Sequence, residues 1–299
     1  MTTDNNKSFV LEFLAGCLSG FSKIYSGQPF DIVKVRLQSY QGDIRPSPLT
    51  VVKNIIQNEG GVFALWKGSL PPLLGIGATV SIQFGVNENV KKYFIRKNGG
   101  KKMTTEQLLA AGGLAGFSNT IVSAPAEHFR IRMQTQSKEN PVYKGSVDCM
   151  KKIIAQYGIR GAFRGVVPTM FRDSIGYGSY FTLYAILLDK FASGVPRNEL
   201  NLATVGLAGS VAGILFWTLA FPFDVVKTRF QTDNLANPQF KRMSGGFRAV
   251  YQAKGLKGFY QGYVPCFWRA IPVNGIVFML YEVLYRNIID PPKKVVLAI

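Results

Sequence analysis

Arg172 and Arg269 stand in strongly apolar sequence, each seven residues after a glycine, Gly165 and Gly262, and Asp173 follows Arg172 directly. A guanidinium offers a fork of N–H donors that matches a carboxylate, and a carboxylate suits an ammonium group. Two arginines and one aspartate therefore describe a binding site for a small zwitterionic or anionic solute. The alternative is that Arg172 and Asp173 neutralise each other while Arg269 finds a carbonyl. Adjacent helix residues point about 100° apart, which makes that pairing imperfect and favours binding. Covalent chemistry has no candidates: His128 is the one histidine, the three cysteines lie far apart, and no nucleophile–base pair or metal set occurs. The chain is not expected to be an enzyme, to hold a metal or to need a cofactor.

A second set of charges comes in three copies. QPFDIVKVRLQ (28–38) recurs as APAEHFRIRMQ (124–134) and FPFDVVKTRFQ (221–231), with prolines Pro29, Pro125 and Pro222 spaced 96 and 97 residues apart. LWKGSLPP, AFRGVVPT and FYQGYVPC repeat as well, their glycines Gly68, Gly165 and Gly262 both times 97 residues apart. Two independent markers with one period make three homologous units, bounded at 9–103, 104–200 and 201–288. Gly75 is the first unit's equivalent of Arg172 and Arg269, so the threefold pattern breaks at that level.

The elements that carry these residues read alike in each unit. An apolar stretch ends at the proline motif, an amphipathic piece such as TVVKNIIQNEG follows, and a second apolar stretch starts at the glycine. Residues 69–86, 107–126 and 201–223 contain no charge, and about 20 apolar residues span a bilayer. The expected fold is an all-α membrane protein of six transmembrane helices in three pseudo-threefold hairpins, each with a short amphipathic helix. Gly16 and Gly20, Gly112 and Gly116, and Gly209 and Gly213 form GxxxG pairs in register, the small-residue signature of close helix packing in lipid. A soluble helical solenoid is the alternative, but its helices carry a charged face and these stretches have none. The net charge of +18 suits an anionic partner. Nucleic acid is not expected, since the bases are spread over the whole length and no reading motif accompanies them. MTTDNNKSF resembles neither a secretory signal nor an arginine-rich transit peptide.

Charges in a bilayer are costly, so they face water or one another. Each proline motif supplies an acid and, three residues on, a base: Asp31 and Lys34, Glu127 and Arg130, Asp224 and Lys227. Such a pair can bond within its own helix. With three copies around a pseudo-threefold axis, the acid of one unit can instead meet the base of the next and close one end of a central cavity. Proline lacks an N–H and clashes with the preceding turn, which kinks each helix inward.

PFDIVKVR, PAEHFRIR and PFDVVKTR resemble the signature of the mitochondrial carrier family over about residues 9–288. The resemblance implies a multi-pass transporter of the mitochondrial inner membrane that works by alternating access as a monomer. It makes the three acid–base sets a matrix gate, braced by Gln38, Gln134 and Gln231. It also implies a cytoplasmic gate, here incomplete: Glu88 and Lys91 carry it in the first unit, Ala185 and Leu188 are neutral, and Glu282 faces a neutral Tyr285 position. An intact matrix gate beside a weak cytoplasmic one implies an empty carrier open to the cytosol. By resemblance Trp66-Lys67-Gly68, Phe163-Arg164-Gly165 and Gly262 hold cardiolipin, where anchoring at the interface by aromatics and bases is the alternative. Arg followed by Asp at position 172 resembles amino-acid and carnitine-type carriers. Thr79 stands where ornithine-type carriers have a glutamate, which counts against lysine, arginine or ornithine. SIQFGVNE, AEHFRIRMQTQ and QTDNLANPQF resemble a fungal subgroup linked to glutamate or glycine. Lys23 either joins the anion site or reaches toward an interface. A carnitine/acylcarnitine or basic amino-acid carrier is the alternative within transport, and a non-transporting structural or regulatory membrane protein on a carrier scaffold the other class.

Overall fold

The computed structural model describes residues 2–40, 46–136, 141–192, 202–240, 242–269 and 273. Five long helices are complete: α1 (Thr2–Ser39), α3 (Leu70–Lys97), α4 (Thr105–Thr135), α6 (Val166–Ala192) and α7 (Leu202–Thr232). A sixth begins over 263–269, and most of it lies outside the described residues. At 1.5 Å per residue, the shortest complete one is about 40 Å long, enough to cross a hydrocarbon core of about 30 Å. Three shorter helices, α2 (Pro48–Asn58), α5 (Ser146–Ala162) and α8 (Met243–Lys254), follow the proline-bearing helices. Pro29, Pro125 and Pro222 lie inside α1, α4 and α7, which continue through them.

Side-chain size sorts the two faces of the long helices. On α4, Leu114, Phe117 and Ile121 are exposed, while Ala111, Gly112, Ala115, Gly116, Asn119, Thr120 and Ser123 are buried. On α7, Leu207, Val211 and Ile214 are exposed, and Ala208 and Ala212 are buried. Large apolar residues outside and small or polar ones inside invert the soluble pattern and suit a lipid surround. The small residues bring backbones together. A Cβ on Gly112 would lie 2.6 Å from the Tyr177 carbonyl oxygen, and one on Gly116 would overlap the Asp173 carbonyl. Gly209 has only side-chain neighbours and Gly213 none within 4 Å among the described residues.

The proline-bearing helices α1, α4 and α7, the odd-numbered ones of the six long helices, touch one another pairwise, and α4 packs along α3 and α6. The short helices close the proline end. α2 buries Val51 and Ile55 against Ile32, Val33 and Leu37; α5 buries Cys149 and Ile153 against Phe129 and Met133; α8 buries Val250 against Phe221, Val225 and Phe230. Each unit therefore has the same small core, which fixes its proline motif against its own amphipathic helix. Gly68, Gly165 and Gly262 turn the chain into the next long helix at φ of +78°, +81° and +88°, a region that favours glycine.

Candidate functional site

The proline motifs meet where the three odd helices converge. Lys34 Nζ of α1 lies 2.7 Å from Asp224 Oδ2 of α7. Arg130 Nη2 of α4 lies 2.6 Å from Asp31 Oδ2 of α1. Lys227 Nζ of α7 lies 2.7 Å from Glu127 Oε2 of α4. Each pair joins two units, and together they close into a ring. The competing local pair occurs in the third unit, where Lys227 stands 3.7 Å from Asp224, an ångström farther than from Glu127.

The three expected braces are not equivalent. Gln38 Nε2 donates to Asp224 Oδ2 at 2.8 Å, and its Oε1 accepts from the Thr228 hydroxyl at 2.8 Å. Gln134 and Gln231 correct the expectation: both amides are buried and neither has a hydrogen-bond partner among the described residues. Arg130 gives its hydrogen bonds to Gln28 and Asp31 instead, and the two oxygens of Glu127 are taken by Arg172 and Lys227. The stems of Gln134 and Gln231 pack on Gly68 and Gly165, where an added Cβ would come within 3.3 Å and 2.9 Å of their Cγ atoms.

Directly against this ring sit the two arginines. Arg172 is only 6 % exposed. Its Nη1 reaches Glu127 Oε1 at 2.9 Å and Asp224 Oδ1 at 3.4 Å, and its Nε and Nη2 hold Asp173 Oδ1 at 2.8 and 2.5 Å. The 100° offset thus does not prevent the neighbour pairing, because the long arginine stem bends back to its own helix. Asp173 is 1 % exposed and also accepts from Ser123 Oγ of α4 at 3.2 Å. It orients Arg172 and, in this arrangement, is not open to a solute ammonium. Arg269 finds a carboxylate, not a carbonyl: its Nη1 lies 3.1 Å from Asp31 Oδ2.

Sequence reasoning missed several neighbours. Gly27 makes room for Arg269, since a Cβ there would stand 2.9 Å from its Nη1. Trp217 lies under two cations, with Lys34 Nζ 4.2 Å and Arg269 Cζ 5.8 Å from its ring centroid. The signal for Trp217 was a bulky aromatic five residues before Pro222. At Gly75 a Cβ would meet Val122 and Ala126 of α4 at 3.8 and 4.0 Å, so this level gains space and no charge from the first unit. The Thr79 hydroxyl donates to the Ile76 carbonyl of its own helix at 2.9 Å. Lys23 is exposed.

At the opposite end Lys91 pairs with Glu88 of its own helix at 3.1 Å, and among the described residues the two join no second unit. Glu282 lies outside the described residues. The turns before α3 and α6 hold their bases in ion pairs. Lys67 pairs with Glu59 at 3.1 Å, which in turn holds Arg36, and Arg164 pairs with Asp233 at 2.8 Å. Those two bases are engaged within the protein, and Trp66 Nε1 donates to the Tyr25 carbonyl.

Comparison with known proteins fits this geometry. The family described as mitochondrial carrier protein matches three times, at residues 5–98, 101–194 and 198–291. The chain is 40% identical over 284 residues to the glutamate/glycine mitochondrial carrier of Schizosaccharomyces pombe, covering 93% of this chain and 94% of that protein. It is 36% identical over 290 residues to the mitochondrial glycine transporter of Saccharomyces cerevisiae, covering 94% and 92%. It is 35% identical over 279 residues to the mitochondrial basic amino acids transporter of Mus musculus, covering 92% and 88%. With three inter-unit ion pairs, three family matches and relatives aligned almost end to end, the chain belongs to the mitochondrial carrier family, multi-pass solute transporters of the inner mitochondrial membrane.

Proposed function

We propose that this carrier transports a small amino acid, glutamate or a neutral one such as glycine, by alternating access. The observation that carries this is the charge gathered where α1, α4 and α7 converge. Lys34, Arg130, Lys227, Arg172 and Arg269 face Asp31, Glu127, Asp224 and Asp173, one cation more than acids among the described residues. Exposed Lys23 lies two turns before the ring on α1. A site with surplus positive charge favours a solute that brings a carboxylate and disfavours a cationic one. The names of the glutamate/glycine and glycine relatives agree with that choice.

The ion-pair ring is the matrix gate in this proposal, and Arg269 and Arg172 are the carboxylate-binding groups. Both arginines rest on gate acids when the cavity is empty. A solute carboxylate competes for them, so binding takes hydrogen bonds away from Asp31, Glu127 and Asp224 and loosens the ring. Only such differential interaction lets a solute shift the equilibrium between the two access states. At the cytosolic end Glu88 and Lys91 pair locally, and among the described residues the two join no second unit. Cardiolipin is proposed at the turns before the even helices, held through backbone N–H groups since Lys67 and Arg164 are engaged elsewhere. The functional unit is a monomer.

The test is uptake into proteoliposomes of labelled glutamate, glycine, lysine and carnitine. Glutamate or glycine uptake is expected. Lysine or carnitine uptake without either of them refutes the assignment, and uptake of none supports a non-transporting role.

A further inference from the structure

Gln28 lies immediately before Pro29, outside the repeated acid–base pattern, and its equivalents are Ala124 and Phe221. It is fully buried. Its Oε1 accepts from Arg130 Nη2 at 2.6 Å, and its Nε2 donates to the Lys67 carbonyl at 2.6 Å. The same Arg130 nitrogen donates to Asp31 Oδ2 at 2.6 Å. Lys67 Nζ continues to Glu59 at 3.1 Å, and Glu59 to Arg36 at 2.8 Å, whose Nε donates to the Gln134 carbonyl of the second unit. A continuous polar chain therefore runs from Arg269 through Asp31, Arg130 and Gln28 to the turn before α3.

The geometry points to Gln28 as a positioning residue that holds the Asp31–Arg130 pair closed and ties it to the turn at Lys67-Gly68. It takes the place that Gln134 leaves vacant, since the Gln134 amide has no partner. A buried amide with both ends engaged is a rigid strut, and a hydrogen bond to a charged group is the stronger kind. Two seams of the ring are then braced, by Gln28 and by Gln38. The Glu127–Lys227 seam has no glutamine, and Arg172 occupies Glu127 there.

This inference rests on the ring being the matrix gate, and the test separates the two. In a background with Cys17, Cys149 and Cys266 replaced by serine, Thr79→Cys reports access to the cavity. Purified carrier of known orientation in liposomes is treated with a membrane-impermeant thiol reagent on one face at a time. Lys34→Ala is the control for the gate itself and must raise matrix-side labelling. Gln28→Leu is expected to raise matrix-side labelling about tenfold, the factor that one lost hydrogen bond to a charged group corresponds to. Cytosolic labelling stays as in the parent, and Gln134→Leu leaves both faces unchanged. A merely structural role does not move labelling on one face alone. Gln28→Asn, too short to span both partners, decides the matter by the same readout if Gln28→Leu fails to fold. No rise from a folded Gln28 variant, or an equal rise from Gln134→Leu, overturns the inference while a positive Lys34→Ala leaves the gate standing. No rise from Lys34→Ala overturns the gate and the inference together.

Discussion

Arg269 Nη1 lies 3.1 Å from Asp31 Oδ2, the same oxygen that Arg130 holds at 2.6 Å. One carboxylate oxygen thus joins the proposed solute arginine to the proposed gate. Removing Arg269 leaves Asp31 paired with Arg130, so the fold keeps its ion pair. Arg269→Ala is expected to lower solute uptake by about 100-fold, toward the upper end of the range for losing a charge-assisted bond, while the thermal midpoint in detergent moves little. Arg269→Lys, which loses the two-pronged grip, is expected to fall between. Uptake by Arg269→Ala close to the parent value removes Arg269 from the site.

The ring pairs are tested by exchange of charge. Lys34 and Asp224 are both buried and 2.7 Å apart. Leaving one such partner unpaired costs about 3–5 kcal/mol. Lys34→Asp is expected to abolish transport and lower stability, and adding Asp224→Lys to restore part of both. Recovery is incomplete because Asp224 also meets Arg172 at 3.4 Å and Gln38 at 2.8 Å. Purified yield, thermal midpoint and uptake measure this, and a double variant no better than the single one contradicts the pairing.

Much of this was legible in the sequence because the repeat multiplies weak signals. One Asp-x-x-Lys reads equally well as a local pair, and three around an axis predict the ring that forms at 2.6 to 2.7 Å. The level of Arg172 and Arg269 was legible because Gly75 breaks the period there. The partners of those arginines were not. Side-chain reach decides them: Arg172 bends back to Asp173, against the expectation from helix geometry, and also crosses to Glu127 and Asp224. Gln28, Ser123 and Trp217 occur once each, so periodicity gives no warning of them. Gln134 and Gln231 differ from the expectation because a glutamine at a matching position must also point at its partner: both oxygens of Glu127 go to Arg172 and Lys227, and Arg130 turns its Nη2 to Gln28 and Asp31 while its Nε and the Gln134 amide stay apart.

The seam between α4 and α6 depends on Gly116, where a Cβ would overlap the backbone of Asp173. Since that obstacle is backbone, it cannot rotate away. Gly116→Ala is expected to destabilise by about 1–3 kcal/mol and to impair uptake, because Asp173 positions Arg172. Gly85 on α3 has nothing within 4 Å of such a Cβ among the described residues, and Gly85→Ala is expected to be neutral or to add up to about 1 kcal/mol from helix propensity. Thermal midpoints of the two variants compare them, and equal loss at both positions contradicts the close approach.

Cys149 of α5 is buried in the small core of the second unit, and burial pushes its thiol up to about 12. The thiolate is the reactive form. Raised pKa means that this form stays scarce at neutral pH, so alkylation of Cys149 in folded protein is expected to be slow at pH 7 and to climb steadily through pH 10. Mass-spectrometric labelling of a Cys17→Ser, Cys266→Ser variant measures it. A plateau near pH 9, as for an exposed thiol, contradicts the packing of α5.

In the proposed cycle the ring shuts the empty carrier on the matrix side and a carboxylate solute opens it. Its most direct test is the rate at which a cavity cysteine at position 79 is labelled from each face, with and without glutamate. Fast cytosolic and slow matrix-side labelling is expected in the empty carrier, and faster matrix-side labelling when glutamate is added. Equal or greater labelling from the matrix side in the empty carrier would contradict it.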